Sequence, residues 1–407
     1  MIRKSSGNRV FRLYGLAVAG LFAILPSLAL GTADAPAFEQ SDRHAKVSRL
    51  VTTLFERSHY RQIRVDDSVS SEVLDRYIEV MDGNRHYFLA GDIAEFEDYR
   101  FALDDAVRRG ELDPVFSMYE RYLVRTRERL EFALQVLEQE PDFSVDEVYE
   151  FDRSEAPWAT TSEELDDLWR KRVKNDALSL LLAEKNWEET SDILRKRYDR
   201  VLKRTEQINS DDVFEAFMNA YSHTLDPHSS YFSPRNSEEY RIQMSLSYDG
   251  IGASLQTEDD YVSILNVIPG GPAAIEGSLK PKDRITGVGQ GSEGELVDVV
   301  GWRLDEVVEL IRGPGGTVVR LQILPAGAAP GSAERILPLT RDKIKLEAQA
   351  AQKERLELQR DGETARVGVI TVPSFYQDFN ARAAGEKDYT STTKDVSRLI
   401  TELQEEG

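Results

Sequence analysis

The chain has 407 residues, with 72 acidic against 51 basic side chains and a formal net charge of −21. Its length suggests two to three domains at a prior of about 150 residues each, and so acidic a surface is repelled by nucleic acid and by anionic membranes, which argues against either as the main partner. Zero cysteines exclude structural disulfides, thiol catalysis and thiolate metal sites.

At the start, Arg3, Lys4, Arg9 and Arg12 make a basic stretch, residues 13–30 form an apolar run broken by Pro26, and residues 31–35 are mostly small. This is the pattern of a secretory signal over 1–35. The run is near the lower limit for spanning a bilayer, and Pro26 favours processing over anchoring. Left uncleaved, the leader would add weak inner-membrane association.

Residues 36–238 read as one all-α domain. Phe116, Leu123, Leu130 and Leu137 recur every seven positions, with Tyr119 and Leu134 on the same face, which predicts an amphipathic helix of several turns. Thr161 and Glu164 form a capping-box pattern ahead of Leu165, Leu168, Trp169, Val173, Ala177, Leu180 and Leu181, and Asp211 and Asp212 stand likewise before Val213, Phe214, Phe217 and Met218. The polar stretch after Pro234 marks the passage to the next module.

Residues 239–326 change character. Tyr248-Asp249-Gly250-Ile251-Gly252-Ala253-Ser254-Leu255 brackets one apolar residue with two glycines and then alternates as a strand. Glycine lets the backbone turn its N–H groups outward, and a concave run of such groups heading a strand can hold a carboxylate while the strand edge pairs with an incoming peptide. Strands follow at 262–267, 285–288 and 317–324, the last with Val319, Leu321 and Ile323 on one face. Residues 303–312 carry Leu304, Val307, Val308 and Ile311 at helical spacing and stop at Gly313-Pro314. Gly250, Ile251, Gly252 and Ala253 are thus the candidate carboxylate loop, and Ser254, Leu255, Leu304, Val307, Val308 and Ile311 the candidate groove.

Beyond a small-residue stretch at 325–331, residues 336–341 and 344–346 are extended in pattern, Val367-Gly368-Val369-Ile370 reads as a buried strand, and residues 392–405 as a helix with Val396, Leu399, Ile400 and Leu403. Strand then helix is half of a crossover unit that needs a parallel partner. Residues 327–407 therefore read as the incomplete start of an α/β (βαβ) domain in a truncated chain.

Other chemistry is weak. Asp226, His228 and Ser229 hold triad residue types within four positions, but such close neighbours read as a turn in which Asp226 and Ser229 bond local backbone. His223 and His228 stand on different helical faces, so no metal is expected, nor any other cofactor. Ser374 reads as a loop serine.

Taken together, residues 248–326 resemble a PDZ domain of the bacterial type found in carboxy-terminal processing (tail-specific) peptidases. His59-Tyr60-Arg61, Met81-Asp82-Gly83-Asn84-Arg85 with Tyr87-Phe88-Leu89, Leu225-Asp226-Pro227-His228-Ser229-Ser230-Tyr231, the Gly-Gly-Pro-Ala-Ala turn at 270–274 and Gly301-Trp302-Arg303-Leu304-Asp305 also resemble that family, although Tyr248-Asp249 stands where relatives more often carry Leu-Glu.

The resemblance implies a multidomain α+β fold: an N-terminal all-α domain, a PDZ-like small β-barrel with a helix, and the start of the α/β peptidase domain. It implies serine-type peptidase activity on proteins recognised by their C-terminal tails, in the periplasm, with segments near 243–247 and 325–331 as hinges of the module. The family uses a serine nucleophile and a lysine base, which no position here matches, so the catalytic set is empty and the chain alone is expected to be inactive. The alternative is a non-catalytic periplasmic peptide-binding or adaptor protein. A helical oligomer scaffold is a weaker third reading, because the seven-residue spacing lasts only about three repeats.

Overall fold

The computed structural model describes residues 38–329, 331–360 and 363–406, so the leader expected at 1–35 lies outside the described residues. Among the described residues no helix is long and apolar enough to cross a membrane. Helices come first. At the head of α1 (Asp42–Ser58), Ser41 and His44 each accept the other's backbone N–H at 3.2 Å. α2 (Asp67–Asp82), α3 (Ala90–Phe96) and α4 (Leu103–Arg109) lead to α5 (Asp113–Val136), 24 residues long.

The seven-residue spacing explains that length, because α5 serves two cores at once. Phe116 and Leu123 pack with Tyr77, Phe88 and Phe217, whereas Leu130, Ala133 and Leu137 pack with Trp169, Val173 and Tyr198. Burying each large side chain is worth about 1.5–3 kcal/mol, so most of the stability of these helices comes from this packing.

α6 (Ser162–Leu181) and α7 (Trp187–Glu206) complete the second core. The capping box expected at Thr161 is only half made. Thr161 accepts the Glu164 N–H at 3.3 Å, but the Glu164 carboxylate reaches back one residue too far, to the Thr160 N–H at 2.6 Å. α8 (Ser210–Leu225) is capped by Asn209, with Asp212 completing the box. Asp211 instead lies 2.6 Å from the His44 ring, which is buried and stacked 4.5 Å from Phe214.

The passage read after Pro234 is itself a helix, α9 (Pro234–Ser245). Proline breaks a helix interior but suits its first position, where no N–H is needed, and Ser233 caps it.

Next come β1 (Ser247–Gly250), β2 (Ala253–Glu258), β3 (Tyr261–Val267), α10 (Pro272–Glu276), β4 (Arg284–Gln290), β5 (Leu296–Asp298), α11 (Leu304–Ile311), β6 (Val318–Leu324), β7 (Arg335–Thr340) and β8 (Asp342–Lys345). The main sheet is antiparallel in the order β2-β3-β4-β6-β7, with β5 added to β4, and β1 pairs with β8. Val319, Leu321 and Ile323 face the core with no exposed surface, as the alternation predicts.

The extended segment at 335–340 pairs with β6, and β8 closes on β1. The small residues after Pro325 let the chain reverse, and Pro338 is tolerated because β7 is an edge strand.

Last, β9 (Gln352–Arg360) and β10 (Glu363–Thr371) form an antiparallel hairpin, followed by α12 (Phe379–Ala383) and α13 (Thr392–Glu405). β10 covers the predicted strand, but Val367 is 37 % exposed, so that strand is not buried here. α13 covers only part of one face, approaching so closely that a Cβ on Gly368 would stand 2.8 Å from Leu403. β9 was not anticipated, and among the described residues no parallel strand joins β10.

Candidate functional site

β2 ends the main sheet, so one edge of its backbone is unpaired, and α11 stands across from that edge. The two run antiparallel. The turn after β2 is tied to the start of α11 by the Gly301 N–H donating to the Asp260 carbonyl at 2.7 Å. At the other end, the Arg312 guanidinium lies 5.3 Å over the Tyr248 ring and the Gly315 N–H donates to Asp249 at 3.2 Å. A cavity of about 1650 Å³ opens between them, with α9 and residues 377–386 supplying further walls. That exceeds the roughly 300–1,000 Å³ of a small-molecule site and suits a length of chain.

Gly250, Ile251, Ala253, Ser254, Leu255, Leu304, Val308 and Ile311 all line this cavity. Val307 does not: it is fully buried among Val319 and Leu321 in the sheet core. Successive helical residues turn by about 100°, so neighbours in an apolar stripe face different surroundings.

Gly252 is absent from the lining as well. Its φ is +74°, and a Cβ there would stand 3.0 Å from the Gly271 Cα, pointing at the turn beneath. The loop therefore offers the groove its backbone. The Ile251 carbonyl accepts the Ala273 N–H at 2.9 Å and the Gly252 carbonyl accepts the Ile268 N–H at 2.8 Å. In a trans peptide plane the next N–H points the opposite way, so those of Gly252 and Ala253 turn away from these partners. Among the described residues the N–H groups of Ile251 and Gly252 meet no acceptor. A carboxylate at the mouth of this loop would satisfy such donors.

A second constellation sits at the family-like Leu225-to-Tyr231 stretch. Besides the local backbone, Asp226 and Ser229 touch each other: the Ser229 hydroxyl donates to Asp226 Oδ2 at 2.7 Å. The same oxygen lies 2.6 Å from His59 Nε2, and Oδ1 accepts the His228 N–H at 2.8 Å. The Ser229 hydroxyl, the His228 N–H and the His59 ring hold the Asp226 carboxyl down, at about 2.

In a nucleophile-activating triad the imidazole stands between acid and serine. Here the carboxylate is in the middle, and the Arg61 guanidinium holds the Leu225 carbonyl nearby. This cluster fastens the end of α1 to the end of α8. His59 was missed as a member because it lies 167 residues away from Asp226. His223 lies 3.3 Å from the Ser230 hydroxyl, and Ser374 is an exposed bend residue. Among the described residues no three His, Asp or Glu side chains converge on a common point.

Residues 50–235 match the family model for the tail specific protease N-terminal domain, and residues 239–324 match the PDZ domain model. A tail-specific protease of Haemophilus influenzae is 38 % identical over 384 residues, covering 94 % of this chain and 52 % of its own length. A carboxy-terminal processing protease, CtpA, of Bacillus subtilis is 28 % identical over 218 residues, 53 % of this chain and 40 % of that protein. A solved PDZ domain of the carboxy-terminal protease from Vibrio cholerae, in complex with peptide, is 50 % identical, covers 25 % of this chain and all of its own, and superposes with a TM-score of 0.24. The chain spans about half the length of its Haemophilus relative. With a tail specific protease N-terminal domain followed by a PDZ domain, it belongs to the carboxy-terminal processing, or tail-specific, protease family.

Proposed function

We propose that this chain is the tail-recognition portion of a serine-type carboxy-terminal processing peptidase working in the periplasm, and that the groove between β2 and α11 grips the C-termini of its protein substrates. The observation that carries the reading is the unpaired edge of β2, headed by outward-turned loop amides and faced by Leu304, Val308 and Ile311. A tail laid along that edge gains main-chain hydrogen bonds, places alternate side chains against α11, and ends with its carboxylate at residues 250–253. Export rests on the basic start and apolar run of residues 1–35. No residue of these 407 is assigned to the hydrolytic step, so this reading gives the chain docking and presentation of the tail.

Titration calorimetry with a decapeptide ending in small apolar residues tests this. The free acid is expected to bind in the micromolar range, about 8 kcal/mol of standard free energy, and its C-terminal amide at least about tenfold more weakly, because the amide lacks the charge that the loop donors hold. Equal affinity for both forms contradicts the assignment.

A further inference from the structure

We infer that the helical domain is part of the tail receptor, because a four-charge cluster centred on Asp212 pre-positions α11, one wall of the groove. The inference rests on the tail-docking reading and names what sets its affinity. Arg303, immediately before α11, donates to the Gln207 carbonyl at 2.6 Å, to Asp212 Oδ2 at 2.5 Å and to Asp305 Oδ1 at 3.1 Å. Arg235 of α9 donates to Asp212 Oδ1 at 3.2 Å and to Asp305. The first turns of α8, α9 and α11 therefore meet at one point, with the end of α7 supplying the carbonyl.

These are not loose surface pairs. The side chains of Arg303, Asp212, Asp305 and Arg235 are 18, 23, 29 and 31 % exposed, each carboxylate is shared by both guanidiniums, and planar guanidiniums held at two points lose little further freedom. Leu304, which lines the groove, sits in sequence between two of the tied residues. Tying the first turn of an eight-residue helix at several points restricts how it can tilt.

That tilt sets the gap into which the tail must fit as an added strand, about 4.7–4.9 Å from β2. A groove wall held in place beforehand spares the tail the cost of ordering it, which is how pre-organisation raises affinity. Asp212 is the informative residue because it belongs to α8 and is not among the cavity-lining side chains, so it acts on a tail only through the groups it holds, Arg303 at the head of α11 and Arg235 of α9.

Asp212→Asn in the full chain is expected to weaken binding of the free-acid decapeptide about five- to tenfold, a usual size for coupling between sites, with its melting curve still cooperative. Arg303→Gln cuts the shared Arg303–Asp212 pair from the other side and should give a similar loss. The double variant should bind no worse than the weaker single one, and Asp212→Glu should recover most of the affinity. If Asp212→Asn and Arg303→Gln both fold and bind the decapeptide within about twofold of wild type, the inference fails while tail docking stands. If the wild-type chain itself ignores the decapeptide, it is tail docking that fails.

Discussion

Replacing Asp82 with alanine is expected to lower the stability of the helical domain by about 3–5 kcal/mol, the range for removing the one charged partner of several buried groups. Asp82 ends α2 and is 3 % exposed. Its two oxygens accept the backbone N–H groups of His86 at 2.7 Å and of Tyr87 and Phe88 at 2.8 Å, which shapes the chain reversal between α2 and α3. Burial pushes its carboxyl up to about 6, although the three N–H donors and Arg172 pull the other way.

Alanine would leave those donors without an acceptor in a site closed to water. The reversal also feeds the second core, since the Trp169 indole donates to the His86 carbonyl at 2.7 Å. Asp82→Asn, keeping one acceptor oxygen, should lose less. Equilibrium urea unfolding of both variants measures the effect, and a loss below about 1 kcal/mol for the alanine variant would show that the donors find other partners.

Gly252→Val is expected to cost at least about tenfold in tail affinity and about 2–3 kcal/mol in the stability of the PDZ domain, since a β-branched residue in the left-handed region carries about 1–3 kcal/mol of strain before any clash. The clash is specific. The Cβ would stand 3.0 Å from the Gly271 Cα and 3.2 Å from Ile344 Cδ1, so the loop must lift off the turn at 270–272. Lifting it breaks the bonds from Ala273 and Ile268 to the Ile251 and Gly252 carbonyls, and these are what turn the following amides outward.

A bulky residue here would thus spoil the cradle from beneath. Gly291→Ala is the control: its φ is +66° with nothing within 4 Å of the added Cβ, so it carries strain without the clash. Wild-type tail affinity in Gly252→Val, measured by calorimetry, would contradict the account of the loop.

Local pattern was the legible part of this fold. Phe116, Leu123 and Leu130 repeat along a single helix, Val319, Leu321 and Ile323 alternate along a single strand, and both patterns describe a face that the structure does bury. Features decided by partners far along the chain were not legible. β7 reads as a free extended segment until β6 lies beside it, and His59 and Asp226 carry no mark of each other.

Pro234 does mark the passage, which falls between the matches ending at 235 and starting at 239, but not the helix there, because one residue type signals both the end and the beginning of helices. The stripe at Leu304, Val307, Val308 and Ile311 marked a helix that lines the cavity without telling which member faces the core. Asp212 and Arg303 each read as the start of a separate helix, because sequence spacing does not show that three helix starts converge.

The most direct test is a crystal structure of the chain with a peptide that ends in a free carboxylate. The account predicts an added strand antiparallel to β2, its terminal oxygens within about 3 Å of the Gly252 and Ala253 nitrogens and its last side chain against Val308 and Ile311. A peptide seated elsewhere, with those two amides bonded to the protein's own side chains, would contradict it.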